Sequence, residues 1–351
     1  MRNLNTYFAK LRLILLFCLY LTSPVGLKSQ SFPTVKDSIQ HFLDSVFTIV
    51  PSSALYADKI NWSEAKSDLI KKAKSMESFS DVFPQWQLLF DKMEDNHSFF
   101  WHRNHKYASH FGQLNEEDVR TPLIAALNDG KAIVTASRLG SYAYVLVPPD
   151  NSSDDFDDMQ QSAQILQEAI CNIYSEDIKG WIIDLRLNTG GNMYPMIAGI
   201  QQLIGEGVFG SIRKKDGTTL PWSIKANGIY QAEERITALA TPCLPDLSQD
   251  KVVVLTSQMT GSSGEITALA FLNRPKTFFI GEKTAGFMTS NELYRLPFET
   301  FLLLAEGYEL DSQEKLTMSI MPHRIMIEGD NFEHLDQDAK IKAAMEWLRS
   351  N

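Results

Sequence analysis

The sequence predicts an α/β protein, a mixed sheet covered by helices, with a helical domain in front of it. Three observations carry this. Residues 31 to about 105 repeat apolar side chains at close to 3.6-residue spacing, the period of a helix with one buried face. From about Lys131 onward, short apolar runs alternate with helical stretches, as strands of a largely parallel or mixed sheet do. Two of those runs, Trp181–Leu185 and Val252–Thr256, each lead through a turn of glycines and small polar residues into a helix.

The chain opens with Arg2, Lys10 and Arg12, an apolar run from Leu11 to Leu21 broken only by Arg12, and then small residues up to Ser29. That is the order of a secretory signal peptide, and the run is too short for a comfortable membrane span. Cleavage is expected near Ser29, with an uncleaved anchor as the alternative. Phe17 before Cys18 argues against a lipoprotein-type signal. The expected organisation is a signal peptide at 1–29, an N-terminal helical domain at 30–105 and an α/β core at 106–351, in a secreted or periplasmic protein. Loss of the signal, with four basic residues and no acid, takes the formal charge from −10 to −14. So acidic a chain is a poor partner for nucleic acid or anionic membrane. No second stretch approaches eighteen apolar residues, so no transmembrane segment is expected in the mature chain.

Only Cys171 and Cys243 remain after processing, too few for a disulfide framework. Cys171 lies on an apolar helical stripe and reads as a buried thiol; one bridge in an oxidising compartment stays open. The seven histidines are scattered without ligand spacing, so neither metal nor cofactor is expected. Oligomeric state is not legible.

The helical segment divides into three. Ser38–Val50 places Ile39, Phe42, Leu43, Val46 and Phe47 on one face. Asn61-Trp62-Ser63 is a capping region before Ala65–Met76, and Phe83–Met93 makes a third helix. Strands follow at Ala132–Thr135 and Tyr142–Val147, then an acidic lead-in at Asp150–Asp158. Gln164–Tyr174 is a helix expected to bury Ile165, Leu166, Ala169, Ile170 and Ile173. Beyond Trp181–Leu185 comes a helix at Met193–Ile204; beyond Val252–Thr256, one from about Ser262 to Leu272. Strands are read at Thr277–Ile280, Phe301–Leu304 and Leu316–Ile320, and a last amphipathic helix at Asp338–Leu348.

The chemistry sits in the two turns. Ser262 follows Gly261 at a predicted helix start, where unpaired N–H groups and the helix dipole favour developing negative charge. Ser262 to Glu265 also reads as a capping box, so alone it would be a structural cap. The other turn, Asn188-Thr189-Gly190-Gly191, offers glycines that let backbone N–H groups approach a ligand. Together the turns supply a nucleophile and an anion-stabilising loop, as acyl transfer requires. The N–H of Ser263 and that of Gly190 or Gly191 are the candidate oxyanion hole. Because both turns follow neighbouring strands, a bulky residue at Gly191 is expected to cost activity more than stability. Asp184 and Arg186 would brace the turn. For the base there are His97, just after a helix and among aromatics, and Lys283, after the strand next to the nucleophile helix.

In order, Ile183-Asp184-Leu185-Arg186 with Asn188 and Gly190-Gly191, then Thr260-Gly261-Ser262-Ser263-Gly264-Glu265, then Gly281-Glu282-Lys283-Thr284-Ala285-Gly286 resemble the S41 serine peptidases, the C-terminal processing or tail-specific proteases. The resemblance runs from about Asn61 to Met326. It implies a crotonase/ClpP-like core behind an N-terminal helical domain, and peptide or protein substrates. The Ser/Lys branch carries its lysine where this chain has Phe287. Asn96-His97-Ser98 instead resembles the tricorn-core branch. That implies Ser262 as nucleophile, His97 as base and the Ser263 and Gly191 amides as the oxyanion donors, with Lys283 kept as the alternative base. An acidic residue to orient His97 has no obvious counterpart, and Met321-Pro322-His323 departs from the usual Pro-Asp string. The stretch from Trp101 to Ala132 is too short for a PDZ insert. The alternative function is an inactive S41-fold protein that binds a ligand or peptide.

Overall fold

The computed structural model describes residues 34–114 and 116–350; the expected signal peptide lies outside them. Helix α1 (Val35–Ser53) starts behind Thr34, whose hydroxyl accepts the Asp37 N–H, and buries Ile39, Phe42, Leu43, Val46, Phe47 and Val50. Asn61 caps α2 (Trp62–Ala73) in the same way. Helix α3 (Phe83–Met93) ends at Glu94, in the left-handed region at a φ of 55°. Strands β1 (Phe99–His102) and β2 (His105–Ala108), helix α4 (Thr121–Asn128), and strands β3 (Thr135–Leu139) and β4 (Tyr142–Leu146) follow. Next come α5 (Phe156–Cys171), β5 (Trp181–Asp184) and α6 (Met193–Ile204). A run of antiparallel strands comes next: β6 (Gly207–Lys214), β7 (Thr219–Lys225), β8 (Gly228–Gln231) and β9 (Glu234–Ala238). The chain then forms β10 (Val252–Thr256), α7 (Ser263–Leu269), β11 (Thr277–Gly281), β12 (Thr289–Leu296), β13 (Thr300–Asp311), β14 (Arg324–Ile325) and α8 (Ala339–Ser350).

Two sheets result. One runs β14-β11-β10-β5-β4-β3, parallel except for β3. The other is antiparallel, β2-β1-β13-β6-β7-β8-β9, with β12 also on β13. The main core lies between the sheets and α5 to α7, around Val145, Ile183, Ile197, Trp222, Val254 and Phe271. The three N-terminal helices have their own core, closed by Phe100, Leu302 and Leu304. Strand β1 pairs with β13, so this helical segment is joined to the sheet by backbone as well as by packing. The boundary expected near residue 105 falls inside the β1–β2 hairpin.

Several expected elements differ. The strand read at Ala132–Thr135 begins only at Thr135. Leu316–Ile320 is not a strand, because its end bonds a loop instead: Ile320 N–H donates to Thr284 Oγ1 at 2.7 Å. Ile165 is 53% exposed, since the buried face of α5 follows Met159, Ala163, Leu166 and Ile170. Strands β1, β2, β6 to β9, β12 and β14 and helix α4 were not anticipated, and β1 falls within the stretch read as helical. Cys171 ends α5 and is not a free thiol; it forms a disulfide with Cys243, 72 residues on.

That disulfide closes a long loop of the unfolded chain. Replacing both cysteines with serine is expected to lower the unfolding free energy by about 2–5 kcal/mol, measured by urea titration.

Candidate active site

Strands β5 and β10 are parallel neighbours, with Asp184 opposite Leu255, so the chain leaves both at the same sheet edge. The two turns therefore meet, as ligand-binding loops of open α/β sheets do. Their contact is stitched by backbone and small side chains. Gly261 N–H donates to the Asn188 carbonyl at 3.1 Å, Thr260 Oγ1 to that of Leu185 at 2.8 Å and Ser257 Oγ to that of Arg186 at 2.6 Å. An added Cβ on Gly264 would stand 2.5 Å from the Asn188 carbonyl oxygen, so only glycine permits this approach.

Ser262 has φ 52° and ψ −124°, a conformation that L-residues rarely adopt. Such strain persists where surroundings enforce it, and it clusters at functional sites. Here the Ser262 N–H donates to Glu265 Oε2 at 3.0 Å. The same carboxylate accepts Thr284 Oγ1 at 2.5 Å, Gly286 N–H at 2.8 Å and Phe287 N–H at 2.7 Å. Glu265 is fully buried; burial pushes its pKa up, against these hydrogen bonds, which pull it down.

Opposite lie Gly190 and Gly191, with φ of 108° and 111°. The Gly190 N–H is taken by Asn188 Oδ1 at 3.0 Å. Gly190 abuts the serine turn so closely that a Cβ there would meet Ser262 Cβ at 2.9 Å. Ser263 Oγ donates to the Gly191 carbonyl at 2.5 Å and holds the two turns together. Among the described residues, neither the Gly191 N–H nor the Ser263 N–H has a hydrogen-bond partner. Each of the two turns thus keeps one unspent backbone donor.

His97 is held from both sides. Asp95, buried just before it, accepts the N–H groups of His97 and Ser98 and the Ser98 hydroxyl, which fixes the backbone. The ring faces β12: Nδ1 lies 2.7 Å from Thr289 Oγ1, and the Asn291 amide nitrogen lies 3.0 Å from each ring nitrogen. The other neighbour is Phe287, with ring centroids 5.3 Å apart. Burial, and secondarily the Lys106 ammonium on β2, push the His97 pKa down to about 3. Lys106 Nζ stands 4.3 Å over the Phe99 ring.

Phe287 connects the two candidate residues. Its N–H shares Glu265 Oε2 with the Ser262 N–H, and its ring would touch a Cβ on Gly261 at 3.3 Å. His97 and Ser262 therefore flank one phenylalanine, which stands where the Ser/Lys branch would carry its lysine. Lys283 is exposed, and among the described residues it makes no hydrogen bond or ion pair with the serine turn. Sequence reasoning gave no role to Thr289, Asn291 or Asp95, and quoted Asn188 without one. Thr289 and Asn291 lie on the unrecognised strand β12; Asp95-x-His97-Ser98 was a readable Asx-turn string.

The fold is a mixed α/β one, similar to those of S41 proteases. Residues 152–322, which hold both turns but not His97, match the model of peptidase family S41. Over these residues the chain is similar to that family. It is similar to the nisin-resistance protein of Lactococcus lactis subsp. lactis, 22% identical over 90% of this chain and 89% of the relative. Among solved structures it resembles a lipoprotein from Streptococcus agalactiae, with TM-score 0.68, 21% identity, and 92% and 99% of the two chains covered. It also resembles the photosystem II D1 C-terminal processing protease, with TM-score 0.55, 12% identity, and 88% and 97% covered.

The expectation that Gly191→Val would spare stability is overturned, because a Cβ there would overlap the Asp150 carbonyl as well as force a side chain to positive φ. The variant is expected to lose at least about 3 kcal/mol of unfolding free energy in urea, together with any activity.

Proposed function

We propose that this chain is an exported serine peptidase acting on peptides or proteins. The Ser262 hydroxyl attacks the scissile carbonyl, His97 takes its proton, and the carbonyl oxygen becomes an anion facing the Ser263 and Gly191 N–H groups. His97 then returns the proton to the leaving amine, and water repeats the cycle on the acyl-enzyme. The observation that carries this is the strained serine together with the unspent backbone donor that each turn keeps. The family match supports peptide-bond chemistry. The disulfide and the signal-like first residues support export, since such bridges persist in oxidising compartments. No described helix is long and apolar enough to cross a membrane. The name of the Lactococcus relative makes nisin a first substrate to assay, beside an unstructured protein.

One observation favours the second reading, a silent binding protein: no carboxylate hydrogen-bonds the His97 ring among the described residues. A fluorophosphonate probe, which reacts only with an activated serine, separates the two. Wild-type protein is expected to be labelled at Ser262. Ser262→Ala abolishes labelling and hydrolysis, while loss of the cap costs only about 1 kcal/mol of stability. His97→Ala is expected to lower labelling by several orders of magnitude and Lys283→Ala to leave most of it. Labelling moved to Ser263, or equal in wild type and His97→Ala, would sink the mechanism.

The pH dependence has a definite sign. His97 binds its proton more weakly folded, near 3, than unfolded, near the ordinary 6.5. It is neutral and able to accept a proton at pH 7. Its share of stability is present above about 6.5 and is lost as pH falls towards 3. Labelling of wild type should persist well below pH 6.5, measured as a rate against pH; an acid limb centred at 6.5 or above would contradict it.

A further inference from the structure

We infer that Thr289 and Asn291 are the positioning residues of His97, a neutral pair standing where a carboxylate would orient the base, and that they fix the ring in its Nδ1–H tautomer. The inference rests on His97 acting as the base. The geometry is as follows. Thr289 Oγ1 lies 2.7 Å from His97 Nδ1 and 3.3 Å from Asn291 Oδ1. In the inferred arrangement its one hydrogen goes to the Asn291 oxygen, and it accepts the Nδ1–H of the ring. The Asn291 amide nitrogen, a donor, is 3.0 Å from both ring nitrogens. Equidistant from the two, it lies over the ring and on neither in-plane lone pair, so with Nδ1–H committed to Thr289 the Nε2 lone pair is left for the serine proton.

Position supports a dedicated role. Thr289 is buried at the start of β12, and Asn291 follows two residues on, so their side chains share one face of the strand. The pairing of β12 with β13 skips Glu306 of β13 opposite the Ser290–Asn291 step. The charged groups around the ring are otherwise occupied or of the wrong sign. Asp95 is spent on backbone and Ser98, Glu265 on the four donors around the serine turn, and Lys106 is a cation. Orientation falls to the neutral pair.

Two readouts test this. The first is independent of catalysis: the nitrogen shifts of His97 in folded Ser262→Ala protein report the tautomer. Nδ1–H is expected, and Thr289→Val should convert it to a mixture or to Nε2–H. The second is the pH profile of fluorophosphonate labelling. Thr289→Val and Asn291→Leu should each slow labelling about tenfold or more, with Thr289→Ser restoring most of it. Asn291→Asp places an anion beside the ring, stabilises the imidazolium, and should move the acid limb up by about one pH unit or more. A merely structural role would leave that limb in place. An Nε2–H ring in the Ser262→Ala protein overturns the inference, as does wild-type labelling by both Thr289→Val and Asn291→Leu. If His97→Ala alone labels like wild type, the base reading fails, and the tautomer measurement still judges the positioning.

Discussion

The carboxylate of Glu265 is the group on which the site's geometry depends. It accepts hydrogen bonds from Ser262 N–H, Thr284 Oγ1, Gly286 N–H and Phe287 N–H. A buried carboxylate costs much free energy unless its lone pairs are filled, and four donors fill them. Those donors come from two separate segments. One is the serine turn, which the bond holds at positive φ. The other is the loop after β11, which carries Phe287 between the serine turn and His97. One interaction thus ties the conformation of the serine turn to the position of Phe287 beside His97.

A second set of buried charges fixes the other turn. Arg186 lies fully buried between Asp184, Asp330 and Asp338, with its Nη1 2.7 Å from each of the latter two. Lys340 and Arg120 share Asp330, and Arg120 reaches Glu282. Burying such a network offers little net stability over an apolar core, but its directed bonds specify one geometry. The Arg186 carbonyl accepts Ser257 Oγ, and the next residues lead to Asn188. The network therefore aims the backbone of the glycine turn rather than taking part in chemistry, which is the bracing role Asp184 and Arg186 were expected to have.

What was legible follows from local signals. The first three helices were legible from a single apolar face, the first two with ends about three residues off; Phe83–Met93 and Met193–Ile204 match residue for residue. Strands β5 and β10 were readable because strands buried on both faces are continuous apolar runs. In β6 and β7 the apolar Phe209, Ile212, Trp222 and Ile224 are interleaved with glycine, serine and charged residues, which hides these strands from a search for apolar runs. At the site, Ser262 and the glycine pair announce themselves by residue type. Gly190 could not be separated from Gly191, because the choice turns on Asn188 Oδ1 capping one N–H and not the other. Asn291 was invisible because its contact with His97 spans 194 residues and an unread strand.

The low pKa of His97 bears on how such a base could work. A group held near 3 is a weak proton acceptor by itself, and an amide donor at its ring does not stabilise the imidazolium as a carboxylate would. The compensating charge must then arise during the reaction. On the proposed mechanism the Ser262 proton would move to His97 while negative charge grows on the carbonyl oxygen, so cation and anion would appear together. Their attraction would offset part of the cost, and the Gly191 and Ser263 donors would lower the anion further. On this account stabilisation is concentrated in the transition state instead of being present at rest, which is the condition for a rate effect rather than tighter ground-state binding. A neutral Thr289–Asn291 pair suits that division of labour, since it orients the ring without charging it beforehand.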